Sequence, residues 1–364
     1  MTRTAVRSAV LLRAGAPLEL RELHLDDPLP GEVRVRTLAA GLCHSDLHYA
    51  DGTLPIELPA VLGHEVIGEI SAVGDERSAH RIGERVIATI TPSCGSCARC
   101  VAGSAAQCLR AAQVRQRSRP KLVDGEGRAV QLLGSIGGFA DQFLLPEAAA
   151  VPLGDGIPDA EGCLLGCCVA TGFGAVVHGA AVGPLDAVAV IGCGGVGVAA
   201  IQAARIAGAR RIIAIDLHPE KLERARGFGA TDVLRSGDDL VRRVHEICPG
   251  GVDKSFEAVG SPATAALAFE MLASNGVATV LGLERPGSAI ALNAELLIEG
   301  DRRIQGAYMG ANQLPRDIPS FEAHYRAGAL QLDRMVTSRW SFEQINEGFA
   351  AMADPDAIRA VVEW

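Results

Sequence analysis

The sequence predicts an α/β fold centred on a doubly wound parallel sheet. Three observations carry this reading. The chain has 364 residues, enough for two or three domains of about 150 residues each. Residues 187–216 run AVAVIGCGGVGVAAIQAARIAGARRIIAID, an apolar stretch, a glycine turn, a helix-like segment and a second apolar stretch. Helical and short apolar segments then keep alternating, through KLERARGFGA, VDKSFEAVG and NGVATVLGL, to about residue 310, the pattern of successive βαβ units.

Composition excludes several alternatives. Apolar residues make up 48% and charged ones 21%, which is ordinary for a globular chain and wrong for a disordered one. With 43 acids against 34 bases, the net charge of −9 opposes attraction to nucleic acid or anionic lipid. The apolar stretches Leu164 to Leu185 and Ala187 to Ala204 are interrupted by glycines, by Pro184 and by Gln202, so neither reads as a membrane span. Near the N-terminus the apolar run Ala9 to Leu12 is too short for a signal peptide, and the expected location is the cytoplasm.

The cysteines fall into two groups. Cys94, Cys97, Cys100 and Cys108 lie in one loop, CGSCARCVAGSAAQC, with spacing that can wrap four thiolates around one tetrahedral ion. Zinc suits such a closed shell, so residues 94–108 are expected to form a structural zinc lobe. The second group is scattered: Cys43 in GLCHSDLH, His64 in LPAVLGHEVIGEI and Cys167 in LLGCCVATGFG. Two thiolates and an imidazole would leave zinc a fourth position open, as a catalytic site requires. Ser45, Asp46, His48 and Glu65 stand beside them and offer the hydroxyl, carboxylate and imidazole groups of an outer shell and a proton relay.

The glycine turn reads as a dinucleotide site. Gly192, Gly194 and Gly197 fill G-x-G-x-x-G straight after a predicted strand, with Gly195 and Val196 between them, and the following helix would face a pyrophosphate with free N–H groups. Asp216 ends the next strand, 19 residues beyond Gly197, where a carboxylate can take both ribose hydroxyls and repel a 2′-phosphate. NAD is therefore expected rather than NADP, with Lys221 flanking the adenosine ribose.

Taken together, GHE, the four-cysteine lobe, GC-x₃-TGFG and GCGGVG, in this order, resemble the zinc-containing alcohol dehydrogenases of the medium-chain dehydrogenase/reductase family. The resemblance runs from GEVRVRTLAAGLCHSD to INEGFAAMADPDAIRAVV. It implies a mainly-β GroES-like catalytic domain over residues 1–168 and 311–364, a Rossmann coenzyme domain over 169–310, and a catalytic cleft between them. It also implies roles. Cys43, His64 and Cys167 hold catalytic zinc, and motif alignment selects Cys167 over its neighbour Cys168. Ser45 takes the alcohol proton and His48 passes it on; Asp46 orients His64 and Glu65 stands behind the metal. Thr171 lies near the nicotinamide, while His44 and Arg359 approach the pyrophosphate. His44 replaces an arginine of many relatives, so its charge would vary around an imidazole pKa of about 6.5. Ile90 and Phe139 would line an apolar substrate channel, with Ile90 standing where some relatives carry an aromatic ring.

The function implied is reversible hydride transfer between a primary or secondary alcohol and NAD, giving an aldehyde or ketone, with two zinc ions per chain. A thiol-adduct-dependent formaldehyde or aldehyde dehydrogenase of the same family is the alternative. The segment LRAAQVRQRSRPK (109–121) holds five basic residues and no acid; it reads as a solvated loop or as a contact for an anionic substrate group. The expected partners are a small-molecule alcohol or aldehyde, with no nucleic acid and no membrane. A homodimer joined along the Rossmann sheet edge around Arg302 to Met309 is also expected.

Overall fold

The structure is a computed structural model that describes residues 3–364. It divides into two compact units: the chain through Cys167 with Gln313–Arg326 and Leu332–Trp364, and Cys168–Asn312 with Ala327–Gln331. The short return Ala327–Gln331 belongs with the second unit, whereas the family resemblance assigns everything after residue 310 to the first. The cause is local hydrogen bonding, since Gln331 N donates to Gln202 Oε1 (2.7 Å) and Ala329 O accepts from Arg205.

The first unit is built on two sheets. In the larger, strands lie in the order Ala150–Pro152, Arg85–Ala88, Glu65–Val73, Glu32–Leu42, Arg359–Glu363 and Val336–Ser341, with Gln142–Pro146 also on Glu32–Leu42. Glu32–Leu42 organises it. Its alternating sequence EVRVRTLAAGL pairs Glu32 to Arg36 with Gln142–Pro146, and Ala39 to Leu42 with the C-terminal strand, while its other edge runs along Glu65–Val73. A strand from the far end of the chain therefore sits beside the segment that ends at Cys43. The five-stranded sheet runs Leu122–Val123, Glu19–Leu25, Thr4–Leu11, Ala60–Val61, Gln131–Leu132. Leu11, Leu25, Leu42, Leu62, Phe139 and Phe143 fill the core.

The second unit holds six parallel strands in the order Asp232–Arg235, Arg211–Asp216, Ala187–Ile191, Val252–Glu257, Leu272–Val280 and Arg303–Gly306, the doubly wound arrangement expected. Ala187–Ile191 is buried at all five positions, as a central parallel strand covered on both faces must be. The helix Gly195–Ile206 starts on Gly194 in extended conformation, and Pro219–Phe228 opens on proline and closes on Gly229 at φ 122°. Among the described residues no single helix is long and apolar enough to cross a membrane.

Candidate active site

The first unit brings Cys43, His64 and Cys167 together. Their Sγ and ring nitrogen atoms lie within 4.8 Å of one another although the residues are far apart in sequence, and all three are buried. Cys43 follows the strand Glu32–Leu42 and, with extended dihedrals, stands at the N-cap of the short helix His44–Ala50. Asp46, fully buried in the first turn, holds the assembly. Its Oδ2 accepts from Cys43 N (3.3 Å), and its Oδ1 accepts from Gly63 N (2.9 Å) and from His64 Nδ1 (3.1 Å). That last bond fixes the tautomer and leaves Nε2 facing Cys167 Sγ at 3.4 Å. Gly63 is at φ 91° with the Phe139 ring against it; a Cβ there would come within 2.6 Å of the ring, so only glycine admits this approach.

The donors fit a soft divalent ion. The hydrogen bond between the sulfurs, helped by the His64 charge and opposed by burial, holds the Cys43 thiol well below its ordinary pKa, while the same bond together with burial pushes Cys167 well above. Burial disfavours a charged His64, but Asp46 and Cys43 outweigh it and raise its pKa. Three protein donors of this type suit tetrahedral zinc with a fourth position left for another ligand. Cys43 Sγ also lies 3.6 Å from Ser45 Oγ. His48 is half-buried, and its buried Nδ1 has no hydrogen-bond partner among the described residues.

Glu65 is fully buried, its carboxylate fitting only because residue 41 is glycine, where a Cβ would stand 2.4 Å from Oε1. Burial raises its pKa to about 7 against the opposing charge of Arg359, whose Nε is 3.7 Å away. Arg359 is 4% exposed and donates to Leu42 O (3.3 Å). It lies inside the first unit facing Glu65, which the sequence motif did not indicate. Phe139, expected to line a substrate channel, is fully enclosed in the core edge-on to Phe349; the backbone pairing of Phe139 with Leu62 draws it inward. Ile90 is half-buried, and its carbonyl accepts from Arg115. His44 is exposed.

Cys94, Cys97, Cys100 and Cys108 also converge within 4.8 Å. Backbone N–H groups of Cys97 and Cys94 point at the sulfurs of Cys94 and Cys108, both at 3.3 Å, and Arg110 N at that of Cys108 (3.4 Å). The N–H of Ser96 is the main cause that lowers the Cys94 thiol to about 6, while burial and neighbouring thiols raise Cys100 to about 12. Four clustered sulfurs cannot all ionise unaided; a dication resolves the conflict.

In the second unit, Gly192 turns at φ 93°, and Gly197 approaches it so closely that a Cβ would lie 1.7 Å from Gly192 O. Asp216 is held at the end of its strand by Cys193 N (2.8 Å) and His218 N (3.0 Å). Thr171 is buried with Oγ1 3.8 Å from Met309 Sδ, inside a run where Met309, Gly310 and Ala311 all have positive φ. Sequence reading missed this left-handed run; only Gly310 signalled it. Gly194, Gly195 and Val196 form the helix start, and Lys221 lies in the first turn of the following helix.

Comparisons with known proteins agree with this construction. A family model described as alcohol dehydrogenase GroES-like domain matches residues 29–155, and one described as zinc-binding dehydrogenase matches 195–323. An NDMA-dependent alcohol dehydrogenase of Amycolatopsis methanolica is 32% identical over 98% of both chains. Among solved structures, an alcohol dehydrogenase zinc-binding domain protein from Burkholderia ambifaria is 33% identical with a TM-score of 0.93, and benzyl alcohol dehydrogenase from Acinetobacter calcoaceticus is 30% identical with a TM-score of 0.90; each comparison covers 99% of both chains. With its paired GroES-like and Rossmann parts and its buried Cys–His–Cys cluster, the chain belongs to the zinc-type medium-chain alcohol dehydrogenases, oxidoreductases that act on small-molecule alcohols and their carbonyl products.

Proposed function

We propose that the protein interconverts primary or secondary alcohols and their aldehydes or ketones with NAD, and that it holds two zinc ions per chain, one catalytic and one structural. The observation that carries this reading is the convergence of Cys43, His64 and Cys167 beside Ser45, with Asp46 fixing the imidazole. When bound there, zinc would supply Lewis-acid polarisation of the substrate oxygen, and a nicotinamide ring would supply the hydride acceptor. Ser45 Oγ takes the alcohol proton, and His48, with its unpartnered Nδ1, carries it toward solvent. Asp46 keeps His64 Nε2 directed at the ligand cluster throughout. Glu65 and Arg359 place a compensating charge pair behind the thiolates.

Cofactor binding belongs to the second unit. Gly192, Gly194 and Gly197 let a pyrophosphate approach the helix start, and Asp216 still has lone pairs for ribose hydroxyls after accepting two backbone N–H bonds. Its charge favours NAD over NADP. The strand Arg303–Gly306 is an edge of its sheet, which supports the reading that two copies pair there as a homodimer, and a cytoplasmic location is part of the same proposal. The test is zinc per chain together with NAD reduction by a panel of alcohols. About two zinc ions, with turnover lost in Cys43→Ala, is the expected result. One ion that survives this substitution would overturn the reading. Asp216→Ala should weaken NAD and narrow its advantage over NADP; an unchanged preference would remove the cofactor assignment.

A further inference from the structure

The basic segment 109–121 has no part in the reaction above. In the first unit, four of its basic residues, Arg115, Arg117, Arg119 and Lys121, line one recess of about 450 Å³ together with Ser118 and Ser135. Their charges are not equally matched. Arg117 Nε donates to both Glu32 oxygens (3.0 Å each) and its Nη1 lies 2.9 Å from Asp26 Oδ2, while Arg119 pairs with the same Asp26. Two cations and two carboxylates close that account. Arg115 and Lys121 are left over. Arg115 donates to the carbonyl of Ile90, and Lys121 Nζ donates to the carbonyls of Ser135 (2.7 Å) and Leu144 (2.9 Å). Carbonyls orient a cation but do not neutralise it.

Lys121 is only 9% exposed, and an ammonium held at such depth with carbonyl partners and no direct ion pair among the described residues carries a large desolvation penalty. The penalty shows in the molecule: burial, helped by Arg117 and Arg115 and opposed by Glu32, brings its pKa down to about 8. Near neutral pH the recess therefore carries two unmatched positive charges at fixed positions, with Ser118 and Ser135 beside them. Arg115 and Lys121 are pre-set by the backbone carbonyls they donate to, which lowers the ordering cost of ligand capture.

We propose that this recess is a binding site for a small dianion, a phosphate or a dicarboxylate, held by Lys121 and Arg115 and separate from the zinc cluster. The chemistry is that of two acidic oxygens accepting charge-assisted hydrogen bonds, and free phosphate and a carboxylate-bearing metabolite would satisfy it alike.

Isothermal titration calorimetry of the zinc-loaded protein at pH 7 and constant ionic strength tests this, with inorganic phosphate and succinate as probes. Saturable binding of at least one is expected; binding of phosphate alone assigns the site to a tetrahedral anion, and binding of succinate identifies a carboxylate site. Lys121→Met and the half-buried Arg115→Gln should each weaken it about tenfold or more. Should Lys121→Met fail to fold, Arg115→Gln reports on the same recess. Arg110→Gln removes an exposed cation of the same segment that does not line the recess, and it should leave binding unchanged. Absence of saturable binding, or equal weakening by Arg110→Gln as for a diffuse basic surface, or no weakening by Arg115→Gln, would overturn the proposal.

Discussion

At the scale of single residues, Asp46 and Lys121 show how burial converts an ordinary side chain into a determinant. Asp46 serves two backbone N–H groups and the His64 ring, so Asp46→Ala should cost metal as well as stability: removing a metal ligand's orienting partner typically costs 10- to 100-fold in affinity. Zinc competition with a chromophoric chelator would measure it. His48→Ala should instead leave zinc content intact and slow turnover at neutral pH by about 10²-fold or more, the usual worth of a positioned proton carrier. Equal rates in the two proteins would exclude His48 from the relay. For Lys121 the folded pKa of about 8 lies below the unfolded value of 10.5. The unfolded chain then holds more protons between these values, so the penalty is fully present below pH 8 and is relieved as pH rises toward 10.5. Relative to Lys121→Met, the parent protein should gain up to about 3 kcal/mol across this window. Urea unfolding at a series of pH values in phosphate-free buffer would show the convergence or its absence.

At the scale of elements, the glycine turn separates structural from ligand-directed need. A Cβ at Gly197 would sit 1.7 Å from Gly192 O, backbone that cannot step aside, so Gly197→Ala should destabilise by about 2–4 kcal/mol. Gly194 has φ −77° and nothing within 4 Å of its Cβ position. Gly194→Ala should therefore keep the melting temperature nearly unchanged and weaken NAD, because the space it fills is the approach to the helix start. Thermal unfolding beside cofactor titration distinguishes the two outcomes. Turn and helix were readable from residues 187–216 because every contact involved is local. Glu32–Leu42 was not: its alternation announces a strand, but nothing in it names Arg359–Glu363 as the neighbour of its second half.

At the scale of the whole molecule, the two sulfur clusters should separate in their effects. Cys97→Ser should remove one zinc ion and lower the thermal midpoint, since a closed four-sulfur shell supplies folding energy to a loop with little apolar core of its own. Cys43→Ser should remove the other ion and the activity. Metal analysis with calorimetry of both variants checks this; loss of both ions from either one would show that the sites are not independent. The homodimer proposed at the edge strand predicts a solution mass twice that of the chain by sedimentation equilibrium.

What the sequence determined by itself was everything encoded at short range: the spacing of Cys94, Cys97, Cys100 and Cys108, the G-x-G-x-x-G turn, Asp216 at a strand end, and the family order of its motifs. The three scattered ligands could be nominated from their residue types, their polar neighbours and the resemblance, but tertiary structure decided that they meet, because a strand end, a helix cap and a glycine turn held by Asp46 bring together residues with no local reason to be neighbours. It likewise decided that Phe139 is core, that Arg359 faces Glu65, and that of the four cations lining the recess two are matched by carboxylates while two are not. Each of these depends on which strands pair and what becomes buried, and burial is a property of the folded chain in which distant residues share one interior and one electrostatic environment.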